Sequence, residues 1–385
     1  MLTADPNRLL DELLSSSIAE FDVPLAVQER AIARYEALGS WLAGHWGADP
    51  ADGLIYPQGS IRLGTMVRPV TDGADYDVDL VCQRDIRKES TTQKELKADV
   101  GDGVAAFIAS GPEGHPWRKE GKRCWTLDYP SEPFHMDVLP ALPDLEALPN
   151  GILLTDREYR LWLPSNPVDY STWFYERMAR EFAEKRAHVA VAKQMEVEDV
   201  PDWYVKTTLQ RAVQALKRHR DIHFEEEPET RPASIIITTL AARAYTGAGP
   251  LYEVLLEVVE KMPTQVEKRD GVWWVANPVQ PKENFADRWR TKPGSADRFF
   301  SWMGQVQVDF AAVGAGRGLD RVVGNLAKSF GESPARRAGE KYGVELRDAR
   351  VAGRLGMAAG TGTLAAATSR SIPRHTFHGD APERP

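Results

Sequence analysis

Gly59-Ser60-Ile61-Arg62-Leu63-Gly64-Thr65, followed by Asp75-Tyr76-Asp77-Val78-Asp79-Leu80-Val81, decides how this chain is read. The first run is a small-residue turn. Gly59 lets the backbone approach closely, and the Ser60 N–H and hydroxyl can bind a β- or γ-phosphate. No Gly-Lys-Ser/Thr follows, so this is not a Walker loop. The second run reads as the start of a strand, in which alternate residues share a face. Asp77 and Asp79 then stand side by side, with Val78 and Leu80 on the opposite face. Two such carboxylates suit a hard divalent cation such as magnesium, whose remaining ligands come from substrate phosphates. The acidic run leaves a second register open, with Asp75 and Asp77 as the pair. Asp77 and Asp79 are preferred because Leu80 and Val81 continue the strand directly.

Taken alone, an Asp-x-Asp is a weak signal and Gly-Ser is common in ordinary turns. A hairpin downstream strengthens both. Arg123 to Tyr129 alternates Trp125, Leu127 and Tyr129, the chain turns at Pro130 to Pro133, and Phe134 to Leu139 returns. In the return strand Phe134, Met136 and Val138 share one face, leaving His135 and Asp137 on the other. Three carboxylates from two strands form the layout of two-metal nucleotidyl transfer, with ions about 4 Å apart. Asp137 is then placed to help deprotonate an attacking ribose hydroxyl.

The composition agrees with a globular enzyme. The chain has 385 residues, 42% hydrophobic and 27% charged, enough for one large or two ordinary domains. No apolar run reaches the roughly 20 residues of a membrane span, and no signal-peptide pattern opens the chain. Two cysteines, Cys82 and Cys124, make neither a disulfide framework nor a structural zinc cluster, so a reducing cytoplasm is expected. A net charge of −8 argues against a protein that coats nucleic acid.

Residues 8–45 carry apolar positions three and four apart, with a break at Phe21 to Pro24. Ile61 to Met66 reads as a short helix and Thr92 to Ala109 as a longer one. Residues 141–168, rich in proline, read as an irregular crossover. Helical patterns then run over Asp169 to Met195, Asp202 to His223, Ser234 to Tyr245, Pro250 to Met262, Asn284 to Val313 and 317–330. On the second of these, Lys206, Gln210, Gln214 and Lys217 share a face that either is solvated or approaches substrate. Ser234 can cap the helix that it opens, and Asn284 is expected to cap the next but one. Arg62 and Arg68 are weaker substrate candidates. Tyr159, Trp162, Tyr170, Trp173 and Phe174 serve either the core or a base-stacking wall.

Gly-Ser, Gly-Thr, Asp-x-Asp entering a strand and Asp137 in a second strand resemble the polymerase-β-type nucleotidyltransferases. Leu209 to His219 is similar to the helix whose lysine reaches the donor triphosphate in those enzymes. Pro232-Ala233-Ser234-Ile235-Ile236 is similar to the helix start whose serine meets the same phosphates. Asn277 to Ala286 is similar to a segment of oligoadenylate synthases and their bacterial relatives. Over residues 55–300 the chain most resembles the bacterial cGAS/DncV-like nucleotidyltransferases (CD-NTases) of CBASS anti-phage systems, with the cyclic GMP–AMP-producing branch suspected. The insertion from Arg68 to Tyr76 departs from that pattern.

The resemblance implies an α/β fold: a polymerase-β-like core with a small mixed sheet, a helical lobe and an N-terminal helical spine. The active site would lie in the cleft between lobes. The expected division is 1–53 spine, 54–145 catalytic core, 146–354 oligoadenylate-synthase-like helical lobe and 355–385 flexible tail. Asp77, Asp79 and Asp137 would hold two Mg2+ ions (Mn2+ able to substitute). Gly59, Ser60, Lys217 and Ser234 would bind the nucleotide. Expected partners are NTPs, above all ATP and GTP, a cyclic-nucleotide-responsive effector, and a regulator or conjugation target at the tail ending His375-Thr376-Phe377-His378-Gly379. No membrane and no long nucleic acid are expected. The rival readings are a template-independent RNA nucleotidyltransferase of the poly(A) or tRNA-end class and a non-catalytic nucleotide-binding regulator.

Overall fold

The computed structural model describes residues 7–71, 73–155, 161–316, 318–357, 364–366 and 370–371. The chain groups into two compact units, Met1–Glu20 with Val308–Pro385, and Phe21–Gln307. These boundaries differ from the four-part division expected, because helix α1 (Asn7–Ala19) belongs with the C-terminal helices while α2 (Leu25–His45) belongs with the sheet.

In the larger unit β1 (Ile55–Pro57) leads into a single helical turn, α3 (Gly59–Arg62), and then β2 (Tyr76–Gln83). The turn starts two residues before the Ile61 to Met66 segment expected to be helical and overlaps it only at Ile61 and Arg62; Gly64, at φ +65°, ends it. Helix α4 (Gln93–Ala109) and the hairpin β3 (Trp117–Glu120)–β4 (Trp125–Asp128) follow, then β5 (Phe134–Pro143). The sheet order is β1-β2-β5-β4-β3. β2 and β5 are parallel and their neighbours antiparallel. A parallel pair needs a long crossover, which α4 and the hairpin supply. Helix α4 opens with a reciprocal cap: Glu95 N–H donates to Thr92 Oγ1 at 3.2 Å and Thr92 N–H to Glu95 at 2.8 Å. Thr92→Ala should therefore cost about 1 kcal/mol, read as a lower urea midpoint at constant m.

Alternation along the paired strands decides what faces the cleft. Val78, Leu80 and Cys82 of β2 and Phe134, Met136 and Val138 of β5 pack against Leu38 and Leu42 of α2 and Val100 and Val104 of α4. A period of two therefore turns Asp77, Asp79, His135 and Asp137 away from that core.

The segment 141–168, expected to be irregular, continues the sheet. β6 (Ile152–Leu154) pairs with β5, and β7 (Leu163–Ser165) pairs with β6. Three-residue strands interrupted by proline carry no alternation to read. Next come α5 (Pro167–Glu176), α6 (Ala179–Lys193), α7 (Thr208–His223), α8 (Ser234–Ala244) and α9 (Leu251–Lys261), then the hairpin β8 (Glu267–Arg269)–β9 (Val272–Trp274). The helix expected from Asn284 begins later, as α10 (Ser295–Ala315). Asn284 caps no helix: its Oδ1 accepts from Val275 and Ala286 N–H, and its Nδ2 donates to Trp273 O, pinning the loop to β9.

In the smaller unit α1 packs with α11 (Leu319–Phe330) and α12 (Glu332–Val351), and Arg337 pairs with Glu20 at 2.6 Å. The tail begins as structure. β10 (Leu355–Met357), β11 (Leu364–Ala366) and β12 (Arg370–Ser371) form a small sheet in the order β11-β10-β12, where flexible chain was expected. The closing segment with His375 to Gly379 lies outside the described residues. Among the described residues no helix is long and apolar enough to cross a membrane.

Candidate active site

Register across the parallel pair brings the acidic side chains together. Asp79 lies opposite Asp137, and Asp77 opposite His135. His135 Nε2 stands 3.6 Å from Asp77 Oδ1, and Thr126 Oγ1 donates to Asp137 Oδ1 at 2.5 Å. The Gly59-Ser60 turn is tied to the same strand, since Gln58 N–H donates to Asp79 O at 2.9 Å. Gly59 has φ +60°, and a Cβ there would sit 2.7 Å from Asp79 Oδ2. Glycine is thus required twice, for its backbone and for the space beside the carboxylate. Asp75, the other register's ligand, is exposed and precedes β2.

Gly59, Ser60, Asp77, Asp79, Lys217 and Ser234 all line one cleft of about 570 Å³, and Asp137 adjoins it through Asp79. Arg68, Arg220 and Arg231 line it as well. Carboxylates on one wall and cations on the other are what a metal-bound triphosphate needs.

Lys217, only 3% exposed, donates to Thr65 O at 3.1 Å and Thr65 Oγ1 at 3.2 Å. Burial first, then Arg220, lowers its pKa to about 7. A triphosphate bound beside Lys217 would restore the charged form, and nucleotide binding above pH 7 would then take up a proton. Calorimetry in buffers of different ionisation heat would show it as a buffer-dependent enthalpy. The unfolded lysine stays protonated to about 10.5. Between pH 7 and 10.5 the unfolded chain therefore holds the extra proton, and this residue's contribution to stability rises with pH.

Ser234 is the first residue of α8, and Ala233 occupies the cap position. The Ser234 hydroxyl accepts from Arg220 at 2.8 Å instead of capping the helix. Arg220 is in turn held by Asp221 at 2.7 and 2.9 Å. Sequence reasoning missed Arg220, although it lies three residues beyond Lys217 and hence on the same side of α7.

Crowding marks the carboxylates. Burial, Asp77 and Asp137 together push Asp79 up to about 8, against the pull of Lys217. Asp77 is pushed up by desolvation and Asp137 and pulled down by His135, although its side chain is 59% exposed. Burial holds the nearby Cys124 thiol protonated, to about 12, so it offers no thiolate. The donors that remain are carboxylate oxygens and the His135 imidazole beside Asp77, and the missing Cβ of Gly59 leaves room beside Asp79. Asp77, Asp79 and Asp137 therefore fit divalent cations. Among the described residues no three His, Cys, Asp or Glu side chains already close around one point. Substrate phosphate oxygens would complete such a shell.

Other candidates fall elsewhere. Arg62 donates to Ser171 Oγ at 2.7 Å and lines a separate cavity of about 650 Å³ with Tyr35, Tyr175 and Trp203. That cavity is larger than the cleft but holds none of the three strand carboxylates. Tyr170 and Phe174 are core residues, Trp162 packs against the sheet core, and Tyr159 lies outside the described residues.

Residues 54–140 match the family model described as cyclic GMP-AMP synthase DncV-like, nucleotidyltransferase domain. The chain is 28% identical over 392 residues to the c-di-GMP synthase of Roseivirga ehrenbergii, covering 99% of this chain and 100% of that one. It is 27% identical over 311 residues to the cyclic dinucleotide synthase CdnG of Bradyrhizobium diazoefficiens, covering 74% of this chain and 71% of that one. The solved structure of CdnG with GTP superposes with a TM-score of 0.67 at 21% identity, over 87% and 99% of the two chains. Escherichia coli MS115-1 CdnC, solved in complex with HORMA-deltaN, superposes with a TM-score of 0.60 at 15% identity, over 84% and 96%. The polymerase-β-like fold is thereby shared, and residues 54–140 are similar to the nucleotidyltransferase domain of the DncV-like cyclic dinucleotide synthases.

Proposed function

We propose that this enzyme joins two nucleoside triphosphates into a cyclic dinucleotide, releasing pyrophosphate at each step. The observation that carries the reading is Asp79 facing Asp137 across the parallel pair, with Gly59 against Asp79 and Lys217 on the same cleft. Gly59 and Ser60 receive the β- and γ-phosphates of the donor, and Lys217 and the Arg220-held Ser234 meet the triphosphate from the helical side. Asp137, one oxygen fixed by Thr126, accepts the proton of a ribose 2′- or 3′-hydroxyl as that oxygen bonds to the α-phosphorus. The bond from phosphorus to the bridging oxygen breaks, and pyrophosphate leaves. Two Mg2+ ions held by Asp77, Asp79 and Asp137 would supply charge neutralisation at the attacking and leaving oxygens. Catalysis is then mostly positioning and electrostatics, and a second round closes the ring.

The names of the relatives favour cyclic di-GMP over the cyclic GMP–AMP expected from sequence, so GTP is the first substrate to test. The HORMA complex of CdnC supports a regulatory protein as partner. We place the enzyme in cytoplasmic anti-phage signalling, upstream of an effector that binds the product. Labelled NTPs with magnesium, with and without RNA, test the reading. Phosphatase-resistant small products without RNA are expected; label confined to RNA would point to an RNA-end nucleotidyltransferase instead.

A further inference from the structure

We propose that one face of α7 positions the phosphate turn, with Gln210, Gln214 and Lys206 as positioning residues for the donor nucleotide. The stripe Lys206, Gln210, Gln214 and Lys217 is not a solvated face: Lys206 is half-buried, the other three are buried, and only Lys217 lines the cleft. Gln210 and Gln214 are fully buried. Their side chains and those of the flanking lysines grip four successive backbone carbonyls. Gln210 Nε2 donates to Leu63 O at 2.9 Å and Lys206 Nζ to Gly64 O at 2.8 Å. Lys217 Nζ donates to Thr65 O, and Gln214 Nε2 to Met66 O at 2.9 Å. Arg218 extends the row to Arg68 O at 2.7 Å. The N–H groups of the same segment point back into the turn: Leu63 to Gly59 O, Gly64 to Ile61 O and Thr65 to Ser60 O, at 3.0 to 3.3 Å.

Both edges of residues 59–66 are therefore satisfied, one by the turn itself and one by α7. The fit is close, since a Cβ on Gly64, at φ +65°, would lie 2.5 Å from Gln210 Nε2. Gln214 is itself fixed, donating to Asp22 at 3.0 Å and accepting from Arg211 at 3.1 Å. Replacing either glutamine by an apolar residue strands a carbonyl of the turn without its donor, and the turn shifts to recover one. Because Thr65 also holds Lys217, such a shift moves both walls of the phosphate site together.

The inference rests on the reading that Gly59-Ser60 receives the donor's phosphates, and the test separates the two. Gln214→Met keeps volume and loses the donor; Gln214→Lys restores a donor of similar reach. Gly59→Ala alters the turn directly. KM and kcat for GTP are measured by pyrophosphate release, alongside Tm. Gln214→Met is expected to raise KM about tenfold or more, with Tm within about 5 °C of wild type, and Gln214→Lys to recover most of the loss. A role confined to stability would lower the active fraction and leave KM alone. Wild-type KM in Gln214→Met, or no rescue in Gln214→Lys, while Gly59→Ala is impaired, overturns the positioning role alone. Unimpaired Gly59→Ala overturns the phosphate reading and this inference with it.

Discussion

Asp77→Asn and Asp79→Asn should each lower pyrophosphate release from GTP and magnesium by about 10³-fold, with the folded state intact. Asparagine keeps the shape and removes one negative charge from a cluster that already repels itself: Asp79 is pushed up to about 8 by burial, Asp77 and Asp137. The ion-free variants should therefore melt no lower than wild type. Loss of turnover with retained or improved stability is the signature of a carboxylate placed for a cation, because a structural ion pair would lose both. The readouts are steady-state turnover and a calorimetric melt without magnesium. Wild-type turnover in both variants would remove the two carboxylates from catalysis, whereas no turnover by the wild type, unchanged in the variants, would favour the non-catalytic regulator.

Gly59→Ala should cost about 10²-fold in turnover and about 1–2 kcal/mol of stability. The added methyl meets Asp79 Oδ2 at 2.7 Å, on a backbone at φ +60°. Either the turn backs away from the cleft or the carboxylate swings out of line with Asp137. Turnover and a urea titration of the same variant separate the catalytic loss from the folding cost. A variant that loses stability but turns over normally would show that the turn is only a turn.

Much of this site was legible in the sequence because the strand period does the work. Once Val78 and Leu80 were placed inward, Asp77 and Asp79 had to share the other face, and the hairpin put Asp137 on the same side. Paired strands and register were beyond the sequence, since Asp79 meets Asp137 only through a crossover of some fifty residues that includes α4. Arg220 was hidden by its helix: buried arginines look like surface ones until a partner such as Ser234 appears. The stripe of α7 was seen but not understood, because its acceptors are loop carbonyls 142 to 152 residues away, and backbone acceptors leave no mark in side-chain identity. The strands β6, β7 and β10 to β12 were missed for want of length, and α10 was drawn too long because Asn284 and the proline-rich loop before it mimic a capped start.

The central claim is that the cleft makes a ring from two nucleotides. Mass spectrometry of the products formed from all four NTPs and magnesium, after phosphatase treatment, tests it most directly. A cyclic dinucleotide, absent when Asp77 and Asp79 are both asparagine, is the predicted result. Pyrophosphate release that yields only linear, phosphatase-sensitive products, or no nucleotide product at all, would contradict it.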